Sequence, residues 1–150
     1  MKIRRTSAVL FCAVLSVPLL GRAEAAPTEI KGAAILQHPC GKVAVKFMGL
    51  VHEGKIDEAT TLGTQAMQDD WKGMGDDERK GMSELMKEMS SSGTQFAADI
   101  KKVGLLVIDG TDGTLTVKKQ EPDGKGSHTQ TQRYEIDGAT CRIAGRRRTP

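Results

Sequence analysis

The sequence predicts an α+β domain in which a run of helices comes before a four-stranded antiparallel sheet. Up to Gly93, apolar residues recur at helical spacing, whereas from there to Ala144 apolar and polar residues alternate as they do in strands. Turn sequences that contain glycine separate the alternating segments. Helices followed by strands are typical of the α+β class, and 150 residues is the length of one domain.

Residues 1–25 have the pattern of a signal peptide. A basic start at residues 2–5 precedes an apolar run at residues 8–20, and the small residues on both sides of Glu24 fit a cleavage site. The apolar run is shorter than the roughly 20 residues of a membrane span, and no other stretch approaches that length. We therefore expect a protein that is not embedded in a membrane and is periplasmic or secreted after cleavage near Ala25.

Cleavage also changes the charge of the chain. The full sequence has 22 basic and 19 acidic residues, and loss of four basic residues and one acid leaves 18 of each. Three of the remaining arginines stand in residues 145–150, which we expect to form a disordered basic tail. Nucleic-acid binding requires a basic face with aromatic side chains among the charges, and aromatic residues are few here. The composition argues against nucleic acid as a partner.

Residues 40–62 predict two helices joined by a short corner. Val43, Phe47, Leu50 and Val51 recur at the spacing of one apolar stripe along the first helix. This stripe is the expected start of the hydrophobic core.

The helix ends that follow are marked by capping residues. Gly54 is expected to end the first helix, and Asp57 to cap the second, with Ile56 before it as a hydrophobic staple. Thr64 is the expected cap of a third helix at residues 65–71.

A fourth helix is expected after Asp76, which is its predicted N-cap. Met82, Leu85, Met86 and Met89 recur at i, i+3, i+4 and i+7. We expect this stripe to be buried.

The alternating part of the chain predicts four strands. The expected strands cover residues 96–108, 114–118, 128–136 and 139–143. The expected turns between the first three strands lie at residues 109–113 and 121–126. Gly104 is expected to bend the first strand, and an Asp-Gly pair at 137–138 predicts the last hairpin. Ala139, Cys141 and Ile143 are expected on one face of the last strand.

Two cysteines, Cys40 and Cys141, remain once the signal peptide with Cys12 is removed. In an oxidising compartment a disulfide between them is the natural inference, and it would close a loop of about 100 residues. The alternatives are two buried free thiols or a pair of metal ligands.

Three segments resemble the nuclear transport factor two-like superfamily, in particular its small secreted bacterial branch of lumazine-binding-like or unknown function. They are a helix pair at residues 47–59 (FMGLVHEGKIDEA), a strand at 112–117 (DGTLTV) and an ending at 134–143 (YEIDGATCRI). Their order and spacing carry the resemblance, since each segment alone is weakly specific.

The resemblance implies a cystatin-like, cone-shaped α+β fold, in which the N-terminal helices pack in the concave face of the curved four-stranded sheet. It covers most of residues 40–144, the expected domain, and leaves residues 26–39 as a leader. Relatives commonly carry a tryptophan where Cys141 stands, and a cysteine at this place fits a disulfide with Cys40.

The resemblance also implies a cavity between the helices and the sheet. Its expected lining residues are Phe47, Leu50, Val51, Trp71, Met82, Met86 and Tyr134. The apolar stripes carry no residue suited to acid or base chemistry, so we expect a non-catalytic module that binds a small apolar ligand or an envelope protein. The superfamily also suggests a homodimer through the outer face of the sheet.

The alternative is a small enzyme of the same fold that acts by acid and base chemistry on a small hydrophobic substrate. It would require Asp99, Glu135 or His128 to point into the cavity, where burial shifts the pKa of such a group towards neutrality. A solvent-facing position is the simpler expectation for all three.

No cofactor and no metal site is expected. His38, His52 and Cys40 are too few and too scattered for a zinc site. Methionines recur at positions 67, 74, 82, 86 and 89 and could form a copper-binding set. Four of them fit helix faces, so core packing or an adaptable groove is the expected role.

Overall fold

The sheet and its helices are seen in a computed structural model that describes residues 25–120 and 127–145. The predicted turn at residues 121–126 and nearly all of the predicted signal peptide and basic tail lie outside these residues. The described part confirms the α+β class, because one antiparallel sheet is combined with helices.

Five α-helices, one 3₁₀ helix and five strands make up the described part of the chain. In chain order they are β1 (Thr28–Lys31), the 3₁₀ helix (Gly32–Gln37), α1 (Pro39–His52), α2 (Ile56–Thr60), α3 (Gln65–Gly73), α4 (Asp76–Met89), α5 (Gly93–Val103), β2 (Gly104–Asp109), β3 (Asp112–Gln120), β4 (Ser127–Asp137) and β5 (Thr140–Ile143).

The five strands lie in the order β1-β2-β3-β4-β5, and every neighbouring pair is antiparallel. Leu106 is paired with Ile30 on one side and with Leu115 on the other. Because directly opposite residues share a face, these side chains point to the same side of the sheet. Helices α1 and α5 pack on this inner face.

The core lies between this face and the helices. Its largest fully buried side chains are Tyr134, Phe96, Ile35, Ile100, Leu106, Leu115 and Val117. A disulfide joins Cys40 in the first turn of α1 to Cys141 in β5, with the two Cα atoms 5.0 Å apart. The predicted pairing of the two cysteines is therefore confirmed, and it fixes the helical layer to the last strand.

The first correction concerns residues 96–108, which were expected to form one strand. Residues up to Val103 belong to α5, and β2 begins only at Gly104. Phe96 and Ile100 are four residues apart and both fully buried, and the hydroxyl of Ser92 caps the helix by accepting a hydrogen bond from Gln95 N at 3.2 Å. Gly104 therefore marks the helix end and not a bend within a strand.

The second correction concerns the number of strands. The expected leader at residues 26–39 contains β1, which pairs with β2, so the sheet has five strands and not four. β1 is at the edge of the sheet, where the exposed charges of Glu29 and Lys31 limit pairing with another chain.

Smaller corrections concern the ends of elements. The second helix begins at Ile56 with Lys55 at the N-cap, so Asp57 lies inside the first turn and does not cap it. Gly75, and not Asp76, is the N-cap of α4. Ala139 lies in the last turn, and β5 begins at the next residue.

Several local predictions are confirmed. Thr64 caps α3 through its hydroxyl, which accepts a hydrogen bond from Met67 N at 3.4 Å. The hairpin at residues 137–138 joins β4 to β5, and Gly138 has a φ of 57°, the left-handed conformation that this tight turn requires.

Candidate functional site: a methionine-lined groove

A groove of about 480 Å³ lies between α3, α4 and the end of β5. Four methionines from three consecutive segments line it, and we call it the thioether groove. Its lining residues are Thr60, Met67, Asp70, Trp71, Met74, Met82, Met86, Ile143, Ala144 and Gly145. A volume of this size is in the usual range of ligand sites, and the lining is mostly apolar.

One wall of the groove is fixed by backbone hydrogen bonds to the sheet. Thr64 N donates to the carbonyl oxygen of Ile143 at 2.9 Å, and Ile143 N donates to that of Leu62 at 3.1 Å. The start of α3 is thereby joined to the end of β5, although the two are distant in sequence. These hydrogen bonds attach this wall of the groove to the sheet.

The indole of Trp71 is held on the same wall by a side-chain hydrogen bond. Its Nε1 donates to Oδ1 of Asp57 at 2.7 Å, which ties α3 to α2. The side chain is 8% exposed, and it packs in the core while lining the groove.

Replacement of Asp57 by alanine should therefore lower the free energy of unfolding by about 1 to 2 kcal/mol, because the buried Nε1–H loses its acceptor. Urea unfolding followed by Trp71 fluorescence measures the change. The matched control is Glu58→Ala, which removes an equivalent carboxylate from the same helical turn but no acceptor of Trp71. Equal effects of the two variants would contradict the role of the hydrogen bond.

The other wall, α4, is mostly exposed, and only Arg79, Ser83 and Met86 in it are half-buried. It packs on α1 but has no buried residue. Met82 is 36% exposed, Leu85 50% and Met89 75%, so the predicted burial is wrong for these three residues. Met86, the fourth residue of the stripe, is partly buried and packs against the core. The stripe instead continues the apolar surface of the groove outwards.

The residues predicted to line a cavity occupy two different places. Trp71, Met82 and Met86 line the thioether groove. Phe47, Leu50, Val51 and Tyr134 pack in or against the core and do not line it.

Tyr134 is fully buried and has a local partner. Its hydroxyl donates to Oε1 of Gln132 at 2.7 Å. Burial raises the pKa of Tyr134 well above its usual range, because desolvation disfavours the phenolate. The hydroxyl therefore stays protonated and has a structural role.

Seven lining residues were not among the predicted cavity residues: Thr60, Met67, Asp70, Met74, Ile143, Ala144 and Gly145. Met74 lies between two helices and belongs to no periodic pattern. Only the helical spacing between Met67 and Trp71 could have pointed to a shared face.

The three candidates for acid and base chemistry lie outside the thioether groove. Asp99 is half-buried on α5, where its carboxylate accepts a hydrogen bond from Nε2 of Gln95 at 2.9 Å. Glu135 and His128 are exposed on β4.

A second depression of about 520 Å³ lies at the ends of the β2–β3 and β4–β5 hairpins. Its lining residues are Thr111, Asp112, Glu135, Ile136, Asp137, Thr140 and Arg142. Their side chains are mainly polar and exposed, so this depression resembles ordinary hydrated surface more than a ligand site.

The described residues contain no group of three or more His, Cys, Asp or Glu side chains arranged to hold a metal ion. Over residues 25–120 and 127–145, none of the helices combines the length and the apolar character needed to cross a membrane.

Comparison of this chain with known protein families, curated proteins and solved structures gives no match. The resemblance carried by the three sequence segments therefore stays a prediction.

Proposed function

We propose that this protein is an exported, non-catalytic binding module that uses the thioether groove and the exposed stripe of α4 to hold an apolar segment of a protein partner. The observation that carries the proposal is the continuity between the groove and the exposed side chains of Leu85 and Met89. A surface of this kind is a common mark of protein interaction.

The extent of the surface favours a protein segment over a small ligand. α4 has 14 residues and is therefore about 21 Å long, with its apolar stripe along one side. A small molecule in the groove would leave Leu85 and Met89 exposed to water, whereas a helix laid along α4 would cover them. Methionine suits such a surface because its flexible side chain adapts to different partners.

The charges around the stripe define the partner further. α4 carries five acidic and three basic residues, and Asp70 lines the groove. A partner helix with an apolar face and basic flanks would complement this surface. The disulfide supports the exported location, since disulfides persist mainly in oxidising compartments.

The test uses the intrinsic fluorescence of Trp71, the single tryptophan of the sequence, as the reporter of binding. Titration with a synthetic amphipathic Leu/Lys helix should shift its emission with saturation. Leu85→Asp should weaken binding by about tenfold or more, because it places a charge in the centre of the stripe.

Val103→Asp is the matched control, because Val103 is 49% exposed against 50% for Leu85 but lies at the end of α5. Dodecanoate serves as the small apolar probe. Binding of dodecanoate alone, unaffected by Leu85→Asp, would show a small-ligand pocket instead. Absence of binding by either probe would contradict the proposed function. The predicted homodimer through the sheet face is tested separately by native mass spectrometry.

A further inference from the structure

The amino-acid composition of the thioether groove differs from that of the core. Four of the ten residues that line the groove are methionines, whereas the seventeen buried core residues include one methionine, Met48. Isoleucine, valine, leucine and phenylalanine supply most of the core. If the groove needed only apolar surface, the same residues would serve there, so the concentration of thioethers points to a property of sulfur.

The sequence argument against a copper-binding set was that four of the methionines fit helix faces, with core packing or an adaptable groove as their expected role. Met82 is 36% exposed and Met86 is partly buried against the core, and both line the groove from α4. Met67 and Met74 come to the same groove from α3 and from the segment after it. Four methionines, each with a neutral thioether sulfur, thus line one groove that is open to solvent.

The geometry points to a metal site: we propose that the thioether groove binds one Cu(I) ion through the sulfur atoms of Met67, Met74, Met82 and Met86. Thioether sulfur is a soft ligand, and soft ligands select Cu(I) over hard divalent cations. The cysteines do not compete for the ion, because both are in the disulfide. This inference is independent of the proposed protein partner.

Two other residues that line the groove, Asp70 and Trp71, have side chains that attract a cation. Asp70 is the one charged residue among the described residues that line the groove, and its charge is negative. Trp71 provides an aromatic ring, and the face of an indole attracts a cation.

The test is a titration of the mature, disulfide-bonded protein with Ag⁺, a redox-inert soft cation, and with anaerobic Cu(I) supplied as its acetonitrile complex. No thiol or other reductant is added, so the disulfide stays intact. Native mass spectrometry should show one metal ion per chain, and Trp71 fluorescence should be quenched at the same stoichiometry. Zn²⁺ should not bind in the groove, since zinc takes thiolate, imidazole or carboxylate ligands.

The decisive variant is Met82→Leu with Met86→Leu, which keeps apolar volume and removes two sulfur atoms. We expect the Cu(I) affinity, measured by competition with bicinchoninate, to fall by at least about 10- to 100-fold. Loss of a group that only supports the metal ligands already lowers metal affinity by that factor. Met89→Leu, outside the groove lining, is the matched control and should retain the affinity of the wild type.

The copper proposal and the proposed protein partner can be contradicted independently of each other. Leu85→Asp, which should weaken binding of the Leu/Lys helix, should still bind Cu(I), because Leu85 does not line the groove. The copper proposal is overturned if the wild type does not retain Cu(I) against the competitor, or if the double variant binds it as tightly as the wild type does.

Discussion

Replacement of both Cys40 and Cys141 by alanine is expected to lower the free energy of unfolding by about 4 to 5 kcal/mol. The disulfide joins residues 101 apart in sequence, so it removes a large amount of conformational freedom from the unfolded chain. Small domains have a total stability of about 5 to 15 kcal/mol, and the variant should therefore be marginally stable.

Urea unfolding of the oxidised wild type and of the double variant measures this loss. Alanine is preferred to serine, because both positions are buried and a hydroxyl would lack a partner there. Addition of a reductant provides the control, since it should destabilise the wild type and leave the variant unchanged. A loss below about 1 kcal/mol would contradict the chain-entropy account of this crosslink.

The second large loss of stability is expected on substitution of Gly41, where α1 meets the 3₁₀ helix. A Cβ atom at this buried position would overlap the carbonyl oxygen of Ile35 and lie 2.6 Å from its carbonyl carbon. That oxygen also accepts a hydrogen bond from His38 N at 3.0 Å, so it cannot move without breaking the turn. Gly41→Ala should lower the free energy of unfolding by about 3 kcal/mol or more.

The matched control is Gly81→Ala, the same substitution in the middle of α4. No atom lies within 4 Å of a Cβ placed there, and alanine favours a helix, so a gain of up to about 1 kcal/mol is expected. Thermal unfolding of both variants compares the two glycines directly. Similar midpoints for Gly41→Ala and the wild type would contradict the close packing of α1 on the 3₁₀ helix.

The elements that the sequence predicted are those whose signals are local. Thr64 caps α3 by contacting its own helix, and the hairpin at residues 137–138 depends on the conformation of one glycine. The cysteine pair was also predictable, since two cysteines in an oxidising compartment have one intramolecular pairing.

The elements that were not predicted from the sequence depend on contacts between distant residues, or lie where helical and strand patterns overlap. β1 has four residues, and its partner β2 begins more than seventy residues later, a pairing that no local pattern contains. Nine of the thirteen residues at 96–108 are apolar, so the helical spacing of Phe96 and Ile100 was hidden by the strand that follows.

The thioether groove was predictable only in part, because a periodic pattern indicates an apolar face but not what covers it. The spacing of Met82, Leu85, Met86 and Met89 correctly indicated one face of a helix. Whether that face is buried depends on where α4 lies relative to α1 and β5, which is a property of the whole fold.

The position of the disulfide also determines how the domain withstands cleavage of its backbone. Cys40 and Cys141 enclose α2, α3, α4 and α5 in one covalent ring, with the thioether groove in its wall. A protease that cuts once within this ring, for example in the exposed α4, produces two fragments that remain one molecule. Cleavage in α4 therefore does not release part of the domain as long as the two sulfur atoms stay oxidised.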